Sequence, residues 1–107
     1  MEIRKRNGEM AAFDAEKIRA AMRLAFTATN VEITAQSLNS LLRAVLKRLE
    51  EVRQLTVENV QDQVEQQLMA EGYYETAKAY ILYREKRAKA RAMRERIAAR
   101  MEDPSLE

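Results

Sequence analysis

A run of basic residues ends in an Asn-Gly pair near the start of the chain. The segment reads Arg4-Lys5-Arg6-Asn7-Gly8, and Lys17 follows soon after it. Cationic side chains are the donors that phosphates need, and a turn that contains glycine lets backbone amides approach an anion closely. A helix that begins just after the turn would add free amides and a positive dipole end. This combination predicts a site for a phosphate-bearing ligand.

The same basic run also has a purely structural interpretation. Lys and Arg side chains on an exposed edge strand prevent that strand from pairing with other chains. The residues alone leave both interpretations open.

Several other chemistries are excluded within these residues. The 107 residues include no Cys and no His, which rules out zinc clusters, Cys/His nucleophiles, Ser-His-Asp triads and disulfides. Carboxylate pairs such as Glu50-Glu51 fall on the polar face of a predicted helix, where nothing desolvates them for acid–base catalysis. We therefore expect a non-catalytic protein without a metal site of its own.

The composition favours one small helical domain. Only two Gly and one Pro interrupt a chain of which 34% is charged and 47% is hydrophobic, as expected for a mainly helical protein. Nineteen basic against 17 acidic residues leave a net charge of +2, too small for strong binding to polyanions on bulk charge alone. No apolar run is long enough to span a membrane and no secretion signal is present, so we expect a soluble, cytoplasmic protein.

Two short segments around Asn7-Gly8 predict a β-hairpin at residues 2–13. Asn and Gly both accept positive φ, as a two-residue hairpin turn requires. Asp14 then fits the N-cap of a first helix, which fades toward Asn30, a candidate C-terminal cap.

Two further helices follow. The second helix of the chain has the clearest apolar repeat: Leu38, Leu41, Leu42, Val45, Leu46, Leu49 and Val52. Thr34 or Ser37 fits its N-cap, and the helix should end near residues 52–54. Thr56 opens the third helix, which should end at Gly72 in a left-handed stop.

The fourth helix begins around residues 73–74 and meets no breaker before Pro104. We expect Tyr73, Tyr74 and Tyr80 in the core or at its edge. Residues 84–102 hold eight basic and three acidic side chains. This tail is either a solvated helix with many charge pairs or a connector that leads into a further domain.

The expected architecture is a mainly α four-helix bundle capped by a small N-terminal β-hairpin, or by a three-stranded sheet if residues 54–56 add a strand. A hairpin cannot bury a face by itself, so it must lie across one end of the bundle. We expect a domain at residues 1–88 and a helical extension or connector at residues 89–107, where residues 106–107 could be a cloning remnant.

Four segments, in order, resemble the ATP-cone domain family. The turn at residues 3–8 and the string Phe13-Asp14-Ala15-Glu16-Lys17-Ile18 are similar to the family's opening turn and Phe-Asp-x-x-Lys-Ile helix start. The stretches at residues 56–65 and 74–87 follow at the expected spacing. The last of these, with Ala-x-Ala-Tyr-Ile-x-Tyr-Arg, is most similar to the family's closing helix. The resemblance covers residues 2 to about 88.

The resemblance implies an allosteric module of the kind found most often at the N-terminus of ribonucleotide reductase large subunits. Such modules bind ATP, which activates, or dATP, which inhibits by changing how subunits assemble. The implied ligands are ATP and dATP as effectors, with Mg bound only through their phosphates. The implied partners are the rest of the reductase and its radical-generating subunit, with self-association in the presence of dATP. Neither a membrane nor a nucleic acid is implied.

The resemblance also assigns roles in the first half of the chain. Lys5 and Arg6 would contact phosphates, with Asn7-Gly8 shaping the turn. Lys17 would reach the phosphates from the first helix.

The remaining roles concern the base and the later helices. Ile3 and Ile18 would pack on the base, and Asp14 would read the base edge or cap the helix. Thr56, which has an ordinary alternative role as a helix cap, would face the nucleotide from the third helix together with Gln61. The last contact would come from the fourth helix: Lys86 or Arg87.

Two residues depart from the family pattern. Asn7 replaces the usual Asp and Ala11 replaces a frequent acidic residue, so a cone that has lost regulation is an alternative within the family.

Three function classes remain. The first is the activity-regulating domain of a reductase. The second is a cone attached to a transcriptional repressor of reductase genes, although such repressors carry a Cys-based zinc ribbon. The third is a helical interaction or nucleic-acid module that uses the basic tail, against which the small net charge argues.

Overall fold

The computed structural model describes residues 2–5 and 7–101. Two strands precede four helices: β1 (Glu2–Arg4), β2 (Met10–Ala12), α1 (Ala15–Ala28), α2 (Ala35–Leu49), α3 (Val57–Ala70) and α4 (Tyr74–Met101). The protein is therefore mainly helical with a small N-terminal hairpin, as predicted. Arg6 and residues 102–107 lie outside the described residues, and so do the predicted phosphate contact of Arg6 and the predicted cloning remnant.

The hairpin turn differs from its prediction. β1 and β2 pair antiparallel, with Ile3 opposite Ala11. The Lys5 amide donates to the Glu9 carbonyl at 2.8 Å and its carbonyl accepts from the Gly8 amide at 3.0 Å. Three residues therefore lie between Lys5 and Glu9, and of the two that the structure describes, Asn7 and Gly8, the glycine adopts the left-handed conformation, at φ +88°. The predicted two-residue Asn-Gly turn is wrong because a three-residue loop needs a single left-handed position, which glycine takes.

The hairpin lies against one end of the bundle. The Arg4 amide donates to the Leu55 carbonyl at 2.8 Å, and Arg4 forms an isolated parallel bridge with Thr56. The third strand considered at residues 54–56 is thus reduced to a single bridge. Ile3 and Phe13 pack against the helical core, which gives the hairpin the buried face that it lacks alone.

Side-chain hydroxyls and a carboxylate start the first three helices. Asp14 accepts a hydrogen bond from the Glu16 amide at 3.0 Å, and Thr56 accepts one from the Asn59 amide at 3.0 Å. For α2 the cap is Thr34, which accepts from the amide of Ser37 at 3.0 Å. The predicted caps of α1 and α3 are confirmed, and of the two candidates for α2 the first is correct.

Two helices end in left-handed residues. Asn30 has φ +54°, and the Val31 amide donates back to the Phe26 carbonyl at 3.1 Å. Gly72 has φ +85°, and the Tyr73 amide donates to the Leu68 carbonyl at 2.9 Å. These six-to-one bonds satisfy carbonyls that the helix ends would otherwise leave free.

Helix α2 ends at Leu49, earlier than the predicted 52–54. After Leu49 each amide bonds to the carbonyl three residues back, as the Val52 amide does to Leu49 at 3.1 Å. Such a tight turn keeps residues three apart on one face. The apolar repeat therefore continues to Val52 although the α-helix does not.

Each helix packs against two neighbours, in the order α1, α2, α3, α4 and back to α1. The buried core takes apolar side chains from all four helices and from the segment before α3: Ile18, Met22, Ala25, Phe26, Leu38, Leu41, Leu42, Val45, Leu49, Leu55, Val60, Val64, Leu68, Ala77 and Tyr80. Short connections make successive helices antiparallel, so α1 and α3 both begin at the hairpin end. At the opposite end the Thr29 and Thr76 hydroxyls lie 3.1 Å apart.

The tyrosines of α4 divide between core and surface. Tyr80 is buried, and Tyr73 packs edge-on against Phe26 with ring centroids 5.0 Å apart. Tyr74 is 67% exposed, so its predicted place at the core edge is wrong. One residue advances a helix by about 100°, which turns Tyr74 away from the stripe that continues at Ala77 and Tyr80. Across the described residues, no helix combines the length and apolarity needed to cross a membrane.

Candidate functional site

The basic turn and two helix N-termini meet at one end of the bundle. Helix α1 begins directly after β2, and the bridge between Arg4 and Thr56 places the start of α3 beside β1. The N-terminus of a helix carries a partial positive charge and amides without intrahelical partners. This end of the molecule is therefore suited to an anion.

The turn presents exposed polar groups to this end. Lys5, Asn7 and Gly8 are all exposed, and the Asn7 side chain accepts a hydrogen bond from the Glu9 amide at 3.0 Å. Ile3 is half-buried against the core. Because side chains alternate along an extended strand, Lys5 projects on the same side as Ile3, toward the bundle end.

The start of α1 contributes one cation and one cap. Lys17 is exposed one turn into the helix, and Asp14 caps the helix, which is one of its two predicted roles. Ile18 is only 7% exposed and belongs to the core. Its predicted packing on a base stays a prediction and requires the hairpin or a neighbouring helix to shift.

The start of α3 contributes a hydroxyl and an amide. The Thr56 hydroxyl caps α3, so its ordinary role is confirmed and a ligand contact would come in addition. Gln61 Oε1 is buried without a hydrogen-bond partner among the described residues. Buried acceptors are normally paired, so this oxygen suits a donor brought by a ligand.

Helix α4 offers two cations of different orientation. Arg87 donates to the Tyr83 hydroxyl at 3.2 Å, and its guanidinium lies 5.8 Å from the centre of the Tyr83 ring. Arg84 faces α3. Lys86 comes two residues later, which is a rotation of about 200° around the helix axis, so its side chain points away from α3. Of the two candidates, the helix geometry favours Arg87.

Two polar clusters escaped the sequence prediction. With its amide oxygen turned toward the guanidinium, Gln54 accepts from Arg4 Nη2 at 2.8 Å and Nε at 3.1 Å. The Gln54 carbonyl accepts from Asn59 Nδ2 at 3.0 Å. This cluster ties β1 to the start of α3. Its residues carry no spacing signal, because they meet only through the tertiary bridge at Thr56.

The second cluster joins α3 to α4. Arg84 Nη1 lies 2.9 Å from Asp62 Oδ1 and 2.7 Å from Glu65 Oε1. Burial, followed by the negative charge of Glu65, raises the pKa of the nearby Tyr80 to about 12. One sequence signal could have predicted this cluster. Arg84 falls on the core-facing stripe of α4, and two acidic residues three positions apart on α3, Asp62 and Glu65, could pair with it.

Other surface features lie away from this end. A groove of about 880 Å³ runs between α1 and the α1–α2 connection, with Arg23, Phe26 and Leu38 in its lining. It contains none of the predicted site residues. In the part of the chain that the structure describes, no three acidic side chains cluster in a way that could hold a metal ion.

The chain belongs to the ATP-cone domain family, whose model matches residues 1–89. The matched residues include both strands and the basic turn and extend through the Arg84 cluster to the middle of α4. It confirms the resemblance stated from the sequence.

Its relatives include much longer reductases. The chain is 43% identical over 99 residues to a ribonucleoside-diphosphate reductase subunit alpha of Chlamydia pneumoniae, a match that covers 84% of this chain and 10% of that protein. It is 34% identical over 113 residues to the corresponding subunit of Treponema pallidum, covering 99% of this chain and 13% of that protein. A vitamin B12-dependent ribonucleoside-diphosphate reductase of Thermoplasma acidophilum is 36% identical over 99 residues, covering 88% of this chain and 12% of that protein. The chain thus spans about a tenth of the length of these relatives.

Proposed function

We propose that this chain is an allosteric regulatory domain that binds ATP and dATP and controls the overall activity of a ribonucleotide reductase. One observation carries the proposal: in a member of the ATP-cone family, the basic hairpin turn meets the N-termini of α1 and α3 at one end of the bundle. Cations and free helix amides together suit a polyphosphate.

The nucleotide divides into two parts that need different surroundings. The phosphates fit the charged side of the site, with Lys5, Arg6 and Lys17 as donors and the Gly8 turn in between. Any magnesium ion enters with the phosphates. The base and sugar fit the side where Ile3 and Thr56 lie and where Gln61 leaves an acceptor unpaired. The amino group of adenine and the ribose hydroxyls are donors of the required kind.

Regulation requires a difference between two similar ligands. ATP and dATP differ by one hydroxyl, so activation and inhibition must arise from differential binding to two states of the protein. The coupling free energy between two allosteric sites is typically about 1–3 kcal/mol. The catalysis itself lies in the rest of the reductase and its radical-generating subunit, since the present chain has no cysteine to carry a radical. We propose that dATP promotes self-association of the whole enzyme.

Isothermal titration of the domain with ATP and dATP, each with and without magnesium, tests nucleotide binding. CTP serves as the matched ligand, since it has the same phosphates and a different base. Saturable heat with ATP and dATP, and much weaker binding of CTP, is the expected result. A folded domain, checked by circular dichroism, that gives no heat with either adenine nucleotide would overturn the proposal. For the regulatory part, light scattering of the whole reductase should show larger particles with dATP than with ATP.

A further inference from the structure

The second half of α4 carries an apolar stripe that the bundle does not cover. The stripe, called the outer stripe below, consists of Ala90, Met93, Ile97 and Met101. Met93 is 56%, Ile97 51% and Met101 81% exposed. The spacing of three, four and four residues places all four side chains along one face of the helix.

The outer stripe is not a continuation of the bundle core. The core-facing stripe of α4 runs through Ala77, Tyr80 and Arg84, and Ile97 follows Ala77 at an angle of about 200° around the helix axis. The two stripes thus lie on opposite faces. Arg84 contacts the first turns of α3, so the bundle ends about one turn further along α4. The outer stripe lies beyond that point and faces away from it.

Within the described part of α4, the charges around the outer stripe are almost all positive. Residues 89–101 contain five basic side chains and one acidic side chain, a net charge of 5 − 1 = +4. Helical geometry places Lys89, Arg96 and Arg100 along one side of the stripe and Arg94 along the other. The single acid, Glu95, falls on the opposite face.

We propose that the outer stripe docks an amphipathic protein helix whose apolar ridge is flanked by Asp or Glu. The narrow stripe repeats at three, four and four residues, an eleven-residue spacing that supercoiled helices also use, and its basic borders select acidic borders on the partner. If the outer stripes of two copies of this chain packed together, a net charge of +4 on each would repel the other, so a second copy is not the expected partner. A lipid surface favours wider faces with bulky aromatic and Leu side chains, and Met, Ile and Ala form a face only one residue wide. The proposal goes beyond nucleotide binding and does not depend on it.

Fluorescence anisotropy of a labelled synthetic helix tests the proposal with the full chain. The probe is a peptide of repeated heptads with Leu at the first and fourth positions and Glu at the flanking positions. Its twin carries Lys in place of Glu. We expect the acidic peptide to bind with an affinity that falls as salt rises, and the basic twin to bind at least tenfold more weakly.

Two matched variants locate the binding on the molecule. Ile97→Asp should weaken binding of the acidic peptide by at least tenfold, whereas Leu24→Asp, at a residue 53% exposed on α1, should leave it unchanged. Both positions are exposed, so thermal unfolding should show that both variants fold.

Four outcomes would overturn the proposal. The acidic peptide fails to bind, or both peptides bind equally. Vesicles that contain phosphatidylserine bind through Ile97 more tightly than the acidic peptide does. The chain forms a dimer that Ile97→Asp dissolves.

Discussion

Arg84 reaches across from α4 to Glu65 on α3, with Nη1 and Oε1 2.7 Å apart. The same guanidinium nitrogen also donates a hydrogen bond to Asp62 Oδ1, at 2.9 Å. Burial works to lower the pKa of Arg84, but its hydrogen bonds to the two carboxylates outweigh this and raise it. These two contacts of Arg84 therefore fix how α4 lies along α3 near the hairpin end of the bundle.

Replacing Arg84 by Ala should lower the free energy of unfolding by about 1–3 kcal/mol, because it leaves Glu65 half-buried without its partner. Urea unfolding measures the change. Arg43→Ala is the matched control, since Arg43 is exposed on α2 and its loss should cost less than about 0.5 kcal/mol. Equal losses in the two variants would show that the position of Arg84 between the helices is unimportant.

Tyr80 should make the protein less stable in strong base. Its pKa is about 12 in the folded state, against 10.0 for an exposed tyrosine. Between these values the unfolded chain has lost the phenolic proton and the folded chain retains it. The free energy of unfolding should therefore be unaffected below pH 10 and fall by about 1.4 kcal/mol per pH unit from there toward pH 12. Urea unfolding across this range, compared with Tyr80→Phe, isolates the effect, which the variant should lack.

Lys17→Ala should weaken ATP and dATP binding by about tenfold or more, the equivalent of one charge-assisted contact. Lys78→Ala is the control, because Lys78 is also exposed but lies near Thr76 at the opposite end of the bundle. Isothermal titration of both variants decides the matter. Similar losses would indicate attraction by diffuse charge instead of a defined site.

Gly8 and Gly72 form a natural pair for separating folding from binding. Both have positive φ, +88° and +85°, and a Cβ added at either would meet nothing within 4 Å. Gly8→Ala and Gly72→Ala should each destabilise the fold by about 1–2 kcal/mol through backbone strain alone. Only Gly8→Ala should also weaken nucleotide binding. If Gly72→Ala weakens it equally, the loss reflects general stability and not the turn.

Local signals predicted most of the fold. Asp14, Thr34 and Thr56 start helices because each bonds to an amide within its own first turn, and such bonds depend on neighbouring residues only. The same holds for the left-handed stops at Asn30 and Gly72. The end of α2 was missed because a tight turn preserves the spacing of Val52 from Leu49 without an α-helix.

The site could be predicted only in outline. The basic turn and the start of α1 are adjacent in the chain, so their proximity follows from the sequence. The approach of Gln54 and Thr56 to Arg4 depends on a bridge between segments about fifty residues apart, and no spacing rule anticipates it. Tyr74 was misplaced because the stop at Gly72 sets the phase of α4, and a shift of one residue turns a side chain from core to solvent.

Helix α4 is continuous from Tyr74 to Met101, so a small rotation of its packed half moves its far end by a larger distance. One half is clamped in the bundle by Tyr80 and Arg84, while the part beyond Ala88 extends for about 20 Å. A tilt of about 5° at the clamp would displace the far end of this lever arm by about 2 Å, from the same rise per residue. A rearrangement too small to disturb the packing of the core could thus be amplified into a displacement that a neighbouring surface can register.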